Sequence, residues 1–211
     1  MIEFNEEYEN DMDNLAREVQ KRLEEDNIGE SDTAKAITMI ECISKLKLLK
    51  SDNPDFTKEN LFRRTAEEII GSGELAGNGC ADICTIFCSV APIIGIKVNR
   101  VLITADFATR KPHTLIEIIN TKTNAAVVID PKWMTHPKFK NTAEKEEWKT
   151  KGLSKIAVDG FPNMTAYNRP APSGEKREWV VVDSLSHLPD NEYSLDKRQE
   201  RIQAFFDFHR K

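Results

Sequence analysis

From Cys80 to Ala91 the chain reads Cys-Ala-Asp-Ile-Cys-Thr-Ile-Phe-Cys-Ser-Val-Ala, apolar or small at nearly every position. A helix of that composition has no polar face to offer water, so it must be enclosed on all sides. The remainder of the chain has to supply layers around it. Gly77-Asn78-Gly79 stands in front of the run and permits a sharp turn into it. Pro92 removes a backbone donor near its end, and Gly95 closes it.

The flanking segments read as those layers. Residues 6–26 form an amphipathic pattern, with Tyr8, Met12, Leu15, Val19 and Leu23 at helical spacing, and Asn27-Ile28-Gly29 ends it. Ser31 or Asp32 can cap a second helix over residues 33 to about 50, with Ile37, Ile40 and Ile43 inward. A third helix follows Asp55 or Thr57, carries Phe62, Ala66, Ile69 and Ile70 on one side, and stops at Gly71-Ser72-Gly73. After Gly95 the signals change to strands over 98–104, 114–119 and 125–129. The polar turn at 120–124 predicts a hairpin from the last two. Residues 134–176 are weakly patterned, with one short strand near Ile156-Ala157-Val158. A strand follows at 179–182, and Ser194 can cap a last helix with Leu195, Ile202, Phe205 and Phe206 inward. Helices, then strands, then a terminal helix indicate an α+β fold rather than alternating βαβ units. The expected division is an N-terminal helical part, 1–56, and a core with a decorated C-terminal part, 57–211, within one continuous domain.

Charge and cysteine usage narrow the function. Formal net charge is −5, which gives nucleic-acid binding little electrostatic support. The basic stretches 45–50 and Lys197-Arg198 are interleaved with acids or apolar residues and read as solvated helix faces. No stretch reaches the ~18 apolar residues that span a bilayer. The start is acidic (Glu3, Glu6, Glu7), unlike a secretory signal. Of the four cysteines, Cys80, Cys84 and Cys88 share one helix face and are poorly placed for disulfides. A reducing, cytoplasmic setting is therefore expected. The absence of any Cys-x-x-Cys pair leaves no framework for structural zinc, and no cofactor is expected.

Three residues carry the chemistry. Cys80 follows two glycines and begins the buried helix, where free N–H groups and the helix dipole favour a thiolate. Cys84 and Cys88 lie deeper in the same helix and, with Cys42, read as packing residues. His113 opens a strand after Pro112 and shares a face with Leu115 and Glu117. Asp130 ends the next strand. If the two strands form the hairpin, His113 and Asp130 lie side by side, the geometry of a base and its orienter. Each residue also has a plainer reading: a small core thiol, a surface imidazole, a strand-ending Asp-Pro turn. Asp183 with His187, His136 and His209 are competing sets without an associated nucleophile. Glu117 could stand behind His113.

At this point the residues resemble a family. Residues 66–73, the Gly79-Cys80-Ala81-Asp82 segment, Phe87, Gly95-Ile96, Thr104-Ala105, His113-Thr114-Leu115-Ile116-Glu117 and Ile129-Asp130-Pro131-Lys132-Trp133 are similar to the core of transglutaminase-like domains. The similarity spans about residues 60–135. It implies a papain-like core, a central helix on an antiparallel sheet, and a Cys-His-Asp triad. Cys80 would be the nucleophile, His113 the general base and acid, and Asp130 the orienter. Asn78, Gly79 and Trp133 would contribute to oxyanion or substrate binding.

The implied activity is acyl chemistry on amides of a protein or peptide substrate, through a thioester. Water as acceptor gives a protease, amidase or deamidase. An amine as acceptor gives a crosslinking transferase. Water is the expected acceptor, because a chain of this length has no second domain to enclose an amine channel. A catalytically inactive binding module of the same fold is the competing class, and a metal module built on the three helical cysteines a third. The sequence contains nothing that fixes an oligomeric state.

Overall fold

The computed structural model describes residues 12–27, 31–131, 154–157, 165–169 and 177–209. The helices among them are α1 (Met12–Glu25), α2 (Asp32–Ile43), α3 (Pro54–Asn60), α4 (Ala66–Ser72), α5 (Cys80–Val90) and α6 (Leu195–Phe208). The strands are β1 (Leu49–Lys50), β2 (Glu74–Leu75), β3 (Lys97–Asp106), β4 (Pro112–Ile119), β5 (Ala126–Ile129), β6 (Ser154–Ala157), β7 (Thr165–Arg169) and β8 (Arg177–Leu185). The protein is α+β. Its main sheet has six strands in the order β5-β4-β3-β8-β7-β6, every neighbouring pair antiparallel.

The apolar run from Cys80 forms α5. Of its residues only Cys88 and Ser89 escape full burial. It packs on β4 and is surrounded by α1, α2 and α4. One apolar cluster joins Leu15 and Val19 of α1, Met39, Ile40 and Ile43 of α2, Ile83 and Phe87 of α5, and Ile103, Ile116 and Ile129 of the sheet. Ser31 accepts the amide of Ala34 and caps α2. Beside it, buried Asp32 accepts both the amide and the hydroxyl of Thr121, which fastens the β4–β5 turn to the start of α2. Ala105, Val180, Ile202 and Phe206 form a second cluster that seats α6 on β3 and β8.

The expected hairpin is present. Ile116 faces Ile129 across β4 and β5, and Asn120 Oδ1 accepts the amides of Lys122 and Thr123 in the turn. Four expectations need correction. The second helix stops at Ile43 rather than near residue 50. The Lys-Leu-Lys-Leu alternation of residues 45–48 has a period of two, with Leu46 and Leu48 half-buried between exposed lysines. That pattern belongs to extended chain, and it leads into β1, which pairs parallel to β2.

The third helix is two helices. Phe62, at φ 66°, breaks it, and Thr65 starts α4 through a capping box with Glu68. Among the described residues of 134–176 there are two strands, β6 and β7, where one was expected, and the strand read at 179–182 runs from Arg177 to Leu185. The parts of the first helix before Met12, Val158 and the prolines at 137, 162, 170 and 172 lie outside the described residues. Among the described residues, no helix is long and apolar enough to cross a membrane.

Candidate active site

The first turn of α5 is built to hold one residue in place. Gly79 precedes Cys80 with φ 75°, a left-handed conformation that side chains rarely adopt. A Cβ there would sit 2.7 Å from Leu75 Cδ1. Glycine is thus required twice over, by backbone and by packing. No side chain caps this helix, so the first amides of α5 are not consumed by a capping oxygen. Two residues on, buried Asp82 accepts the amide of Ala76 at 2.6 Å and Arg64 Nη2 at 2.5 Å. Arg64 also donates to the carbonyl of Glu74 and to Ser72. The turn before Cys80 is therefore tied to its helix by a buried ion pair.

The hairpin brings up the other two groups. His113 Nε2 lies 2.7 Å from Asp130 Oδ2. Asp130 is fully buried, and His113 is 8% exposed. The His113 side chain also hydrogen-bonds Cys80, and with Nε2 engaged by Asp130 the ring nitrogen left for that bond is Nδ1. The His113 ring lies against Trp179 of β8, centroids 4.8 Å apart. Cys80 Sγ is 3.7 Å from Thr114 Oγ1. Cys80, His113 and Asp130 are thus brought together at the N-terminus of α5.

The electrostatics separate this thiol from the others. Burial pushes Cys80 up, but the hydrogen bond and charge of His113 outweigh it, aided by Arg198 and Thr114, and bring the thiol down to about 7. Burial pushes His113 down, and the charge and hydrogen bond of Asp130, then Cys80, more than reverse this and raise it to about 9. The thiol thus lies below the imidazole, so between about pH 7 and about 9 the proton rests on His113 and a thiolate facing an imidazolium is favoured. Burial drives Cys84 well above the usual thiol value and Cys88 up to about 12. Cys42 also rises through burial, which the charge of Arg22 only partly offsets. All four are free thiols.

Of the other expected residues, Asn78 lies exposed on the turn before Gly79, and Gly79 is the helix cap itself. Trp133 and His136 lie outside the described residues. Glu117 does not stand behind His113; Arg100 holds it at 2.9 Å, and Asn99 bonds the same oxygen. His187 meets Ser186 on the surface, and Asp183 meets Arg201 and Tyr193 rather than His187. Among the described residues no group of acids, histidines and cysteines is arranged to hold a metal ion.

Sequence reasoning missed three contributors. Trp179 was legible only as the start of a strand, because its partner His113 is 66 residues away. Thr114 faces Cys80 across the gap between sheet and helix. Arg198, read as part of a solvated basic face, is 8% exposed, and its charge acts on Cys80. Arg198 sits four residues before Ile202 and shares its inner side, and that spacing was the available signal.

No protein-family model, curated protein or solved structure matches this chain.

Proposed function

We propose that the protein is an acyl-transfer enzyme with a cysteine nucleophile. More narrowly, it is a cysteine-dependent amide hydrolase of the transglutaminase-like kind, with a papain-like arrangement of helix and sheet. The observation that carries this reading is the thiol–imidazole–carboxylate line, in which a carboxylate 2.7 Å from His113 raises the imidazole above the neighbouring thiol. A structural cysteine needs no such partner.

The chemistry follows from the charges. The Cys80 thiolate adds to the carbonyl carbon of an amide, and the carbonyl electron pair moves to oxygen. The unconsumed amide of Cys80 at the start of α5 donates to that oxyanion. Collapse breaks the C–N bond while the imidazolium of His113 passes its Nδ1 proton to the leaving amine. A thioester and a neutral imidazole remain. The imidazole then takes a proton from water as the water oxygen adds to the thioester carbon. Expulsion of the thiolate restores the thiolate–imidazolium pair and releases a carboxylic acid. Asp130 holds Nε2 throughout and stabilises the cation each time it forms.

The test is a panel of glutamine-containing peptides and small amides, with ammonia or peptide release measured with and without a fluorescent primary amine. Release that depends on Cys80 and ignores the amine supports hydrolysis. Incorporation of the amine at the rate of release changes the acceptor and leaves the three roles intact. A second reading, an inactive binding module, has one observation in its favour: Cys80 is only 5% exposed. That reading requires a Cys80 inert to small electrophiles.

A further inference from the structure

Arg198 occupies the first turn of α6, directed into the protein rather than to water. It is 8% exposed, and its Nε is buried without a hydrogen-bond partner. Its guanidinium lies over the ring of Phe62, 5.7 Å from the centroid. Among the described residues no carboxylate pairs with it. Asp183 on the adjacent strand is held by Arg201 and Tyr193 instead. An arginine stays charged in a protein, and a buried charge without a partner is costly. The acidic groups whose charge acts on Arg198 are Cys80 first and then Tyr193, and of the two the Tyr193 phenol is pushed well up by burial and Asp183, which leaves the thiolate of Cys80 as the counter-charge.

That partner exists for only part of a catalytic cycle. Once Cys80 carries an acyl group its sulfur is neutral, and the guanidinium loses its counter-charge. An oxyanion would replace the charge only for the lifetime of the tetrahedral state. A carboxylate on the acyl group would stay beside the guanidinium through both halves of the reaction, and the planar fork of arginine matches a carboxylate with two parallel hydrogen bonds. We propose that Arg198 binds a carboxylate of the substrate, so that the amides cleaved are those whose acyl half carries a free carboxylate. Monoamides of dicarboxylic acids and the side-chain amides of C-terminal glutamine or asparagine belong to this class. The inference rests on Cys80 being the nucleophile.

Two thiol reagents of nearly equal size test it without a substrate. Iodoacetate leaves a carboxylate one carbon from sulfur, and iodoacetamide leaves a neutral amide there. Both attack the same thiolate, so the ratio of their rates at Cys80 cancels the ionised fraction. The expected result is a ratio for the native protein well above that of the unfolded chain, falling at least about tenfold in Arg198→Gln and less in Arg198→Lys. A ratio unchanged by Arg198→Gln in a folded variant overturns the inference and leaves the triad standing. Inertness of native Cys80 to both reagents overturns the triad, and this inference with it. Because Arg198 is buried and its variants can fail to fold, the native protein supplies a second measurement. Succinamate should slow alkylation of Cys80 by iodoacetamide, whereas butyramide at the same concentration should not. Equal protection by the two, or protection by neither, overturns the inference.

Discussion

Arg64 Nη2 lies 2.5 Å from Asp82 Oδ2, both residues buried, and the same oxygen accepts the amide of Ala76. Burial alone pushes the Asp82 carboxyl up, and the Ala76 amide and Arg64 pull against that. Removing one member of such a pair strands the other. Arg64→Met is expected to cost about 3 kcal/mol in urea unfolding, the usual penalty for half of a buried pair. A doubly apolar Arg64→Met, Asp82→Leu variant should recover part of that loss. A single variant as stable as the native protein would show that the turn before Cys80 is held by something else.

The four thiols give an internal competition. Cys88 is more exposed than Cys80, yet it is pushed up to about 12 while Cys80 is brought down to about 7. At pH 7 the thiolate is far more populated at Cys80 than at Cys88. Brief iodoacetamide treatment followed by peptide mapping should therefore label Cys80 first. Labelling of Cys88 ahead of Cys80 would mean that exposure governs reactivity here.

The pH profile follows from the two shifted groups. In the proposed reaction Cys80 must be ionised to attack and His113 must be protonated to release the amine. Turnover should rise through about 7, as the thiol ionises, and fall through about 9, as the imidazolium loses its proton. Alkylation needs only the thiolate and should rise through about 7 without the later fall. His113→Ala removes the largest force lowering the thiol while burial remains. Its alkylation at pH 7 is expected to drop at least about tenfold. An unchanged profile would detach Cys80 from His113.

Asp130 and Glu117 can be told apart by isosteric amides. Asp130→Asn should keep the fold and lower turnover by about 10⁴, the loss seen when a triad carboxylate becomes an amide. Glu117→Gln should leave turnover near native, since Glu117 is engaged by Arg100 and Asn99 on a different part of the sheet. The reverse ranking, measured on any substrate the native protein turns over, would exchange their roles.

What could be read from the chain depended on distance along it. The burial of α5, the Gly79 turn and the β4–β5 hairpin rest on local patterns, and His113 and Asp130 are joined by a single hairpin. The capping box at Thr65 and the alternation at 45–48 were equally local, but helix periodicity in their neighbours masked them. Arg64 with Asp82, Trp179 against His113, and the charge of Arg198 acting on Cys80 depend on elements far apart in sequence. The spacing of Arg198 to Ile202 points inward, but its long apolar stem also suits a guanidinium held in water, so the spacing alone did not decide.

β8, at residues 177–185, is hydrogen-bonded between β3 and β7 in the middle of the sheet. On the ribosome β3 and β4 emerge long before it does. Until β8 arrives, the backbone of β3 from Val101 to Asp106 has a row of amides and carbonyls with nothing to pair with, flanked by side chains that are buried in the finished protein. An open edge of that kind recruits other strands. The half-made chain is consequently the most association-prone form of this protein. Polypeptides released by premature termination before residue 177 should go to inclusion bodies and chaperones, even though they already contain the thiol, the imidazole and the carboxylate.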